Sequence, residues 1–358
     1  MNICFITSTR ADYGLLKPLI NTIKKSDKYT YSLIATGAHL SPKFGNTYLE
    51  IEEDFNIDKK IEINIDSDSN TSICKTMGLC QILMSDALNE INNKDKIKLV
   101  VLLGDRFEIL AVSQVCLILG LKTCHLAGGD VTLGALDDKF RNAITQLSTY
   151  HLPTCEDSKN NLLKMNICNN NIKILGNPGL EIFLDYKPIL SKEELGKRFN
   201  ITDYILIVFH PETNNKDIEY ISHFFNSINK SQFQKVIIQS NCDPGYQEIL
   251  KNYTKEYILI NNLKRDEYLS LAYHSKYYVG NSSSGIYELP YLNIPIINVG
   301  DRQKGRKISN NTYESTFEDL ENNIILLEKD MNINNLNCDN NYKIYQSKEI
   351  FIDFLNSI

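Results

Sequence analysis

The chain has no surplus of positive charge. Among its 358 residues, 38 Lys and Arg stand against 44 Asp and Glu, a formal net charge of −6. That removes any global electrostatic case for nucleic acid or an anionic membrane surface, so a site for a polyanionic ligand must be built locally. The sequence also lacks an apolar run long enough to span a bilayer. Its opening, Met1-Asn2-Ile3-Cys4-Phe5-Ile6, lacks the basic leader and long apolar stretch of a signal peptide. Nine cysteines are present, an odd number, but no two have the spacing of a metal site or a redox pair. Cys4, Cys116, Cys124 and Cys155 lie in or beside apolar segments. Reduced, buried thiols in a cytoplasmic protein are the expectation.

What is present is ordinary in bulk and ordered in pattern. Hydrophobic residues make up 42% and charged residues 23%, as in soluble globular proteins, and the length suits two domains. Short apolar runs alternate with helical periods. Strands are expected at residues 3–7, 31–35, 99–103, 122–127, 150–154 and 172–175, and helices at 15–23, 73–91, 107–119 and 137–148. The run 99–103 is continuously apolar, as a strand buried on both faces should be. A turn at 176–179 and a polar stretch at 187–200 mark a boundary. The alternation then repeats, with strands at 205–209, 236–239, 257–260, 277–279 and 294–299 and closing helices near 317–327 and 345–355. Asn-rich stretches at 166–171 and 331–342 read as loops. Such alternation predicts the α/β class: two Rossmann-like parallel-sheet domains facing an interdomain cleft. The expected domains are 1–178 and 179–340, with 341–358 a C-terminal helix packing back on the first domain.

The polar signatures all fall at expected strand ends, where ligands of such sheets bind. Gly280-Asn281-Ser282-Ser283-Ser284-Gly285 joins a strand to an expected helix through Leu289 and Tyr291. Free N–H groups, serine hydroxyls and the helix dipole there suit a phosphate, and Glu288, one turn on, suits the hydroxyls of a ribose. A Ser-capped helix with nothing bound fits the same residues. Thr7-Ser8-Thr9-Arg10 is a hydroxyl-rich turn crested by an arginine suited to bidentate phosphate binding, or simply exposed. Gly104-Asp105-Arg106-Phe107-Glu108 puts an Asp–Arg pair after the most apolar strand, where burial is costly unless the pair is functional. Asp105 suits a general base or acid there, and Glu108 reads as an ordinary first-turn carboxylate. His125-Leu126-Ala127-Gly128-Gly129-Asp130 precedes Gly134 and then Asp137 and Asp138, one of them a candidate helix cap. Arg141 and Thr145 lie farther down the same helix face. His151 reads as a buried structural residue, and His223 and His274 as structural or surface residues. His210-Pro211-Glu212-Thr213 ends the first strand of the second half. Residues 240–245 read as a turn. Gly300-Asp301-Arg302-Gln303-Lys304-Gly305-Arg306 offers two arginines beside the phosphate seat.

Taken in order from residue 7 to residue 306, these seven segments resemble the UDP-N-acetylglucosamine 2-epimerases, most of all the hydrolysing branch that serves sialic and legionaminic acid synthesis. The resemblance implies the GT-B architecture, a UDP-sugar substrate between the domains, a metal-independent reaction without cofactor, and a homodimer or homotetramer. Carried over by position, Arg10, Ser282, Ser283, Glu288 and Arg302 bind the nucleotide, with Ser284 and Gly285 in the same turn. Asp105, Asp137 and His210 surround the sugar, supported by Arg106, His39 and Arg141, with His125 and Asp130 beside them. One departure stands out. Many relatives carry Glu or His where this chain has Ala127, which cannot transfer a proton. Either Asp130 takes that role or the position tunes substrate choice.

The implied chemistry is loss of UDP from C1 as C2 is deprotonated, giving a 2-acetamidoglycal, then addition of water at C1 and return of a proton to C2 from the other face. The expected products are UDP and free N-acetylmannosamine or its 4-acetamido-4,6-dideoxy analogue. Epimerisation with UDP retained, transfer to an acceptor sugar, and nucleotide-sugar binding without catalysis are the alternatives.

Overall fold

The computed structural model describes residues 1–63, 69–133, 135–212, 218–239, 245–261, 263–329 and 340–358. The chain divides into two compact units. The first comprises Met1–Asp130, Asp137–Leu184 and Tyr342–Ile358, the second Val131–Leu136 and Asp185–Asn341. The change of unit thus falls after Leu184, not at 178, and the short segment 131–136 counts with the second unit.

Each unit holds one six-stranded sheet. In the first the strands are β1 (Asn2–Thr7), β2 (Thr30–Thr36), β3 (Lys59–Ile61), β4 (Ile97–Leu103), β5 (Thr123–Leu126) and β6 (Tyr150–Leu152). Every neighbouring pair is parallel, in the order β3-β2-β1-β4-β5-β6. The second sheet is built from β7 (Tyr204–Val208), β8 (Gln234–Ile238), β9 (Ile258–Ile260), β10 (Tyr278–Gly280), β11 (Ile296–Val299) and β12 (Thr312–Ser315). Its order, β12-β11-β10-β7-β8-β9, is the same winding repeated, again all parallel. The connections reverse direction between β1 and β4 in one sheet and between β7 and β10 in the other. Helices leave to opposite faces at such a point, so the carboxyl ends of those two strands stay uncovered. Four of the polar segments follow these four strands, and those that begin at His125 and Gly300 belong to the neighbouring strands β5 and β11.

The apolar residues account for the layers. The five residues Leu99–Leu103 of β4 are buried, and helix Arg10–Lys24 buries Leu16, Leu19, Ile20 and Ile23 against the same sheet. The closing helix Ser347–Ser357 adds Phe351, Phe354 and Leu355 to that core, with Phe351 6.2 Å from Phe5 between ring centres. In the second unit Phe209 stacks on Phe224 at 3.9 Å and joins Phe317 and Tyr220 in an aromatic core.

Several expectations need correction. Residues 172–175 form no strand; Ile172 makes a single bridge to His151. The edge strands β3 and β12 are additional to those expected, because Lys59-Lys60-Ile61 and Thr312-Tyr313-Glu314-Ser315 are partly exposed and carry few apolar residues. The helix after the serines runs only from Ser284 to Tyr287, and a 3-10 turn, Leu289–Leu292, follows around Pro290. Asn169–Asn171 form a 3-10 turn. Cys4, Cys116 and Cys124 are buried, as is Cys80, but Cys155 is half-buried and Cys74 and Cys168 are exposed. The readings of Gly134, Thr213, residues 240–244 and residues 331–339 lie outside the described residues. Among the described residues no helix is long and apolar enough to cross a membrane, and no group of His, Cys, Asp and Glu has the arrangement of a metal site.

Candidate active site

In the first unit the site is built on the ends of β1, β4 and β5. After β1, Thr9 caps helix Arg10–Lys24 and Asp12 returns the bond in a capping box. Asp12 does more than cap. Its buried carboxylate accepts the Ser8 N–H and Ser8 hydroxyl, both at 2.9 Å, and the hydroxyl of Thr7. Burial pushes this carboxyl up, but the bonds and charge of His39 and the bonds from Thr7 and Ser8 outweigh it and hold it below its usual range. His39 is fully buried, with Nε2 2.9 Å from Thr7 Oγ1 and Nδ1 2.7 Å from Thr47 Oγ1. Its ring therefore braces the turn that presents Arg10. His39, expected as a support for the sugar site, thus shares one network with Asp12.

After β4 come Asp105 and Arg106. The Arg106 Nε–H donates to Glu108 Oε1 at 2.6 Å, and the Glu108 side chain is 2% exposed. Glu108 is thus a buried ion-pair partner rather than an ordinary helix-start carboxylate. His125, at the third position of β5, lies with Nε2 2.8 Å from the Gly104 carbonyl and Nδ1 3.1 Å from the Thr145 hydroxyl. A carbonyl only accepts, so Nε2 carries the proton. Burial pushes His125 down to about 3, so the ring is neutral and Nδ1 accepts from Thr145. His125 therefore fixes the residue before Asp105 from inside the sheet and is closed to solvent. His151, its neighbour across β5 and β6, is buried as expected and pushed down to about 4 by the same cause.

Arg141 gathers the carboxylates. It lies on helix Asp137–Leu147, whose first turn contains both Asp137 and Asp138, so neither is the cap. Its buried guanidinium bonds Asp105 through Nη2, and through Nη1 it bonds the Asp130 carbonyl (3.0 Å) and Asp138 (3.3 Å). Asp130 turns its own carboxylate to Thr154 and Ser158, both at 2.6 Å. Ala127 adopts a left-handed backbone, φ +61°, at the start of the Gly-Gly turn that leads to Asp130.

The second unit has a polar group of its own at the ends of β7, β10 and β11. Asn281, fully buried, holds His210 by both main-chain groups: the His210 N–H donates to Asn281 Oδ1, and Asn281 Nδ2–H donates to the His210 carbonyl, each at 2.8 Å. Ser282, Ser283 and Ser284 are half-buried. The Ser283 side chain makes no capping bond, and the Ser282 N–H donates to the Tyr278 hydroxyl at 3.1 Å. Gly280 has to be glycine, because a Cβ there would meet the Val208 carbonyl oxygen at 2.1 Å. Gly285 offers space beside the Tyr278 ring rather than a donor, since its N–H is turned to the Ser282 carbonyl. With only four helical residues after Ser283, a helix dipole adds little there. Arg302 Nη1–H donates to the Asn281 carbonyl at 3.2 Å. Glu288 accepts Arg265 at 2.6 Å. Asn281, Tyr278 and Arg265 were not anticipated. An asparagine after a Gly at a strand end was the available signal for the first; nothing in the sequence singles out the others.

A family model described as UDP-N-acetylglucosamine 2-epimerase matches residues 21–356, nearly the whole chain. The chain belongs to that family. Among relatives of this epimerase-family protein, the Campylobacter jejuni "GDP/UDP-N,N'-diacetylbacillosamine 2-epimerase (hydrolyzing)" is 37% identical over 89% of this chain and 85% of its own. The Escherichia coli "Polysialic acid biosynthesis protein P7" is 32% identical over 85% and 80%. The crystal structure of UDP-GlcNAc 2-epimerase from Neisseria meningitidis bound to UDP-GlcNAc superposes with a TM-score of 0.81, at 19% identity, over all of both chains. That likeness establishes the fold class of this epimerase-family chain, two Rossmann-like units of the GT-B kind.

Proposed function

We propose that this protein is a hydrolysing 2-epimerase of a UDP-linked 2-acetamido sugar. It releases UDP and the free 2-epimer through a 2-acetamidoglycal. The observation that carries the reading is the Arg141 group: one buried guanidinium fixes Asp105, the Asp130 carbonyl and Asp138, and leaves Asp105 reachable.

In this reading Asp105 takes the C2 proton as the C1–O bond to UDP breaks and the C1–C2 double bond forms. Water then adds its oxygen to C1, and a proton returns to C2 from the opposite face. Asp137, Asp130 and His210 are the groups available for that second transfer and for activating the water. Arg10, Arg302 and the turn Ser282–Ser284 take the charge of the departing diphosphate, and Glu288 takes the ribose. Arg106, His125 and His39 hold the main chain and side chains that present these groups.

The sugar we favour carries an acetamido group at C4, as in the name of the C. jejuni relative, ahead of UDP-GlcNAc. The protein is further read as a cytoplasmic homodimer or homotetramer. Exposed Ile82, Leu117 and Ile118, on two helices that pack together, support an oligomer, and sedimentation tests it.

Incubation with UDP-GlcNAc and with UDP-N,N'-diacetylbacillosamine in heavy water, followed by NMR, decides among the readings. Free sugar with deuterium at C2, plus UDP, is expected. A UDP-bound epimer indicates the non-hydrolysing reaction. Turnover only with an added acceptor indicates a glycosyltransferase. UDP binding without deuterium uptake indicates a binding protein.

A further inference from the structure

A buried carboxylate in the second unit has no part in the chemistry above. Glu212 stands two residues beyond His210 and is 6% exposed. Its Oε1 accepts the main-chain N–H groups of Asp301 at 2.7 Å and Arg302 at 3.1 Å. Two successive N–H groups converging on one point form a small anion seat, and here an internal side chain fills it. Gly300 makes this possible. Its φ is +73°, and a Cβ on it would lie 2.2 Å from Glu212 Oε1. The Glu212 N–H donates to the Tyr220 hydroxyl at 2.8 Å, so the residue is fixed at its base too. Burial pushes its carboxyl above the usual range, against the pull of the two N–H bonds.

The turn held in this way starts the segment that carries Arg302 and Gln303. Arg302 Nη1–H and Gln303 Nε2–H both donate to the Asn281 carbonyl, at 3.2 and 2.7 Å. Asn281 precedes Ser282 and grips His210. One carboxylate thus anchors a chain of bonds that ends on the serine turn.

We propose that Glu212 is a positioning residue for the nucleoside diphosphate. It sets the turn from which the Arg302 guanidinium reaches the serine segment, and so governs diphosphate affinity without touching the ligand. The proposal rests on the reading of Arg302 and Ser282–Ser284 as the diphosphate seat. A side chain needed only for folding would lower stability and leave the affinity of the folded protein unchanged. A positioning residue moves UDP affinity and KM through Arg302 alone.

The test is UDP titration calorimetry, with kcat and KM on the UDP-sugar, for Glu212→Ala, Glu212→Gln, Arg302→Ala and the double variant Glu212→Ala/Arg302→Ala. Glu212→Ala is expected to raise UDP Kd and KM on the order of tenfold, with kcat within about twofold. Glu212→Gln keeps an oxygen for both N–H groups and is expected within about threefold of the wild type. The double variant should bind UDP no worse than Arg302→Ala, since both act through one group. Wild-type UDP affinity in folded Glu212→Ala, effects that multiply in the double variant, or a Gln variant as weak as the Ala variant overturns the proposal and leaves the nucleotide reading standing. No UDP affinity in the wild type, or full affinity in Arg302→Ala, removes that reading and the proposal with it. If circular dichroism shows Glu212→Ala unfolded, Glu212→Asp takes its place; one methylene shorter, it should weaken UDP binding in the same direction, and wild-type affinity there overturns the proposal.

Discussion

Arg141 and Asp105 form an asymmetric pair: the arginine side chain is 1% exposed and the aspartate 28%. A guanidinium buried to that degree has to keep its partners, and its Nη1 N–H groups are held by the Asp130 carbonyl and Asp138. Asp105 is therefore held by Arg141 while part of its side chain stays exposed, which suits a group that must meet a substrate hydrogen in one geometry.

Arg141→Lys should cost more than a conservative change. An ammonium cannot span a carboxylate, a carbonyl and a second carboxylate as a planar fork does. Turnover is expected to fall at least about tenfold, with stability lower by about 2–4 kcal/mol in urea unfolding. Asp105→Asn should leave UDP affinity within a few-fold and lower turnover on the order of 10²–10⁴. Wild-type turnover in that variant would remove Asp105 from the chemistry.

Acid stability should be governed in part by two of the buried histidines. His125 and His151 are pushed down from 6.5 to about 3 and about 4 by burial. Between those values and 6.5 the unfolded chain binds protons that the folded chain does not. Stability therefore falls as pH drops from about 6.5 towards 4, with each group contributing at most about 1.4 kcal/mol per pH unit. His125→Gln is expected to flatten this part of the curve. A pH-stability profile as steep as that of the wild type would show that His125 does not contribute.

Asn281→Ala removes the two bonds by which a buried side chain holds the main chain of His210. A loss of about 2–4 kcal/mol is expected. Because His210 is freed as well, kcat should fall in the fraction that still folds. A Tm equal to that of the wild type would contradict this account.

Ala127 supplies a test of backbone strain. With φ +61° it lies where a Cβ is unfavourable, so Ala127→Gly should stabilise by up to about 1 kcal/mol, and Ala127→Val should destabilise by more. Thermal unfolding of the two variants measures both. Since neither variant adds a proton-transfer group, kcat in folded Ala127→Gly is expected within about twofold of the wild type.

Much was legible from the chain alone. Continuous apolar strands such as Leu99–Leu103 and the periodic helix at Leu16, Leu19, Ile20 and Ile23 announce an α/β protein, because burial on two faces leaves no room for polar residues. The polar segments between them announce where a ligand would meet it. The edge strands β3 and β12 were not legible, since a strand half in water needs no apolar pattern. Nor could the sequence place His39 and His125 inside hydrogen-bonded networks.

The sequence by itself determined the class of fold, the repeated winding of two units and the positions of the polar turns, because these follow from periodicity and short-range chain geometry. Only the tertiary structure decided which of those polar residues meet. That Arg141 gathers Asp105 and Asp130, and that Glu212 fills the N–H seat of Asp301 and Arg302, depends on strands far apart in sequence ending side by side. Hydrogen bonds across 36 or 90 residues leave no mark in local pattern; they exist only once the parallel order of the sheets brings those ends together.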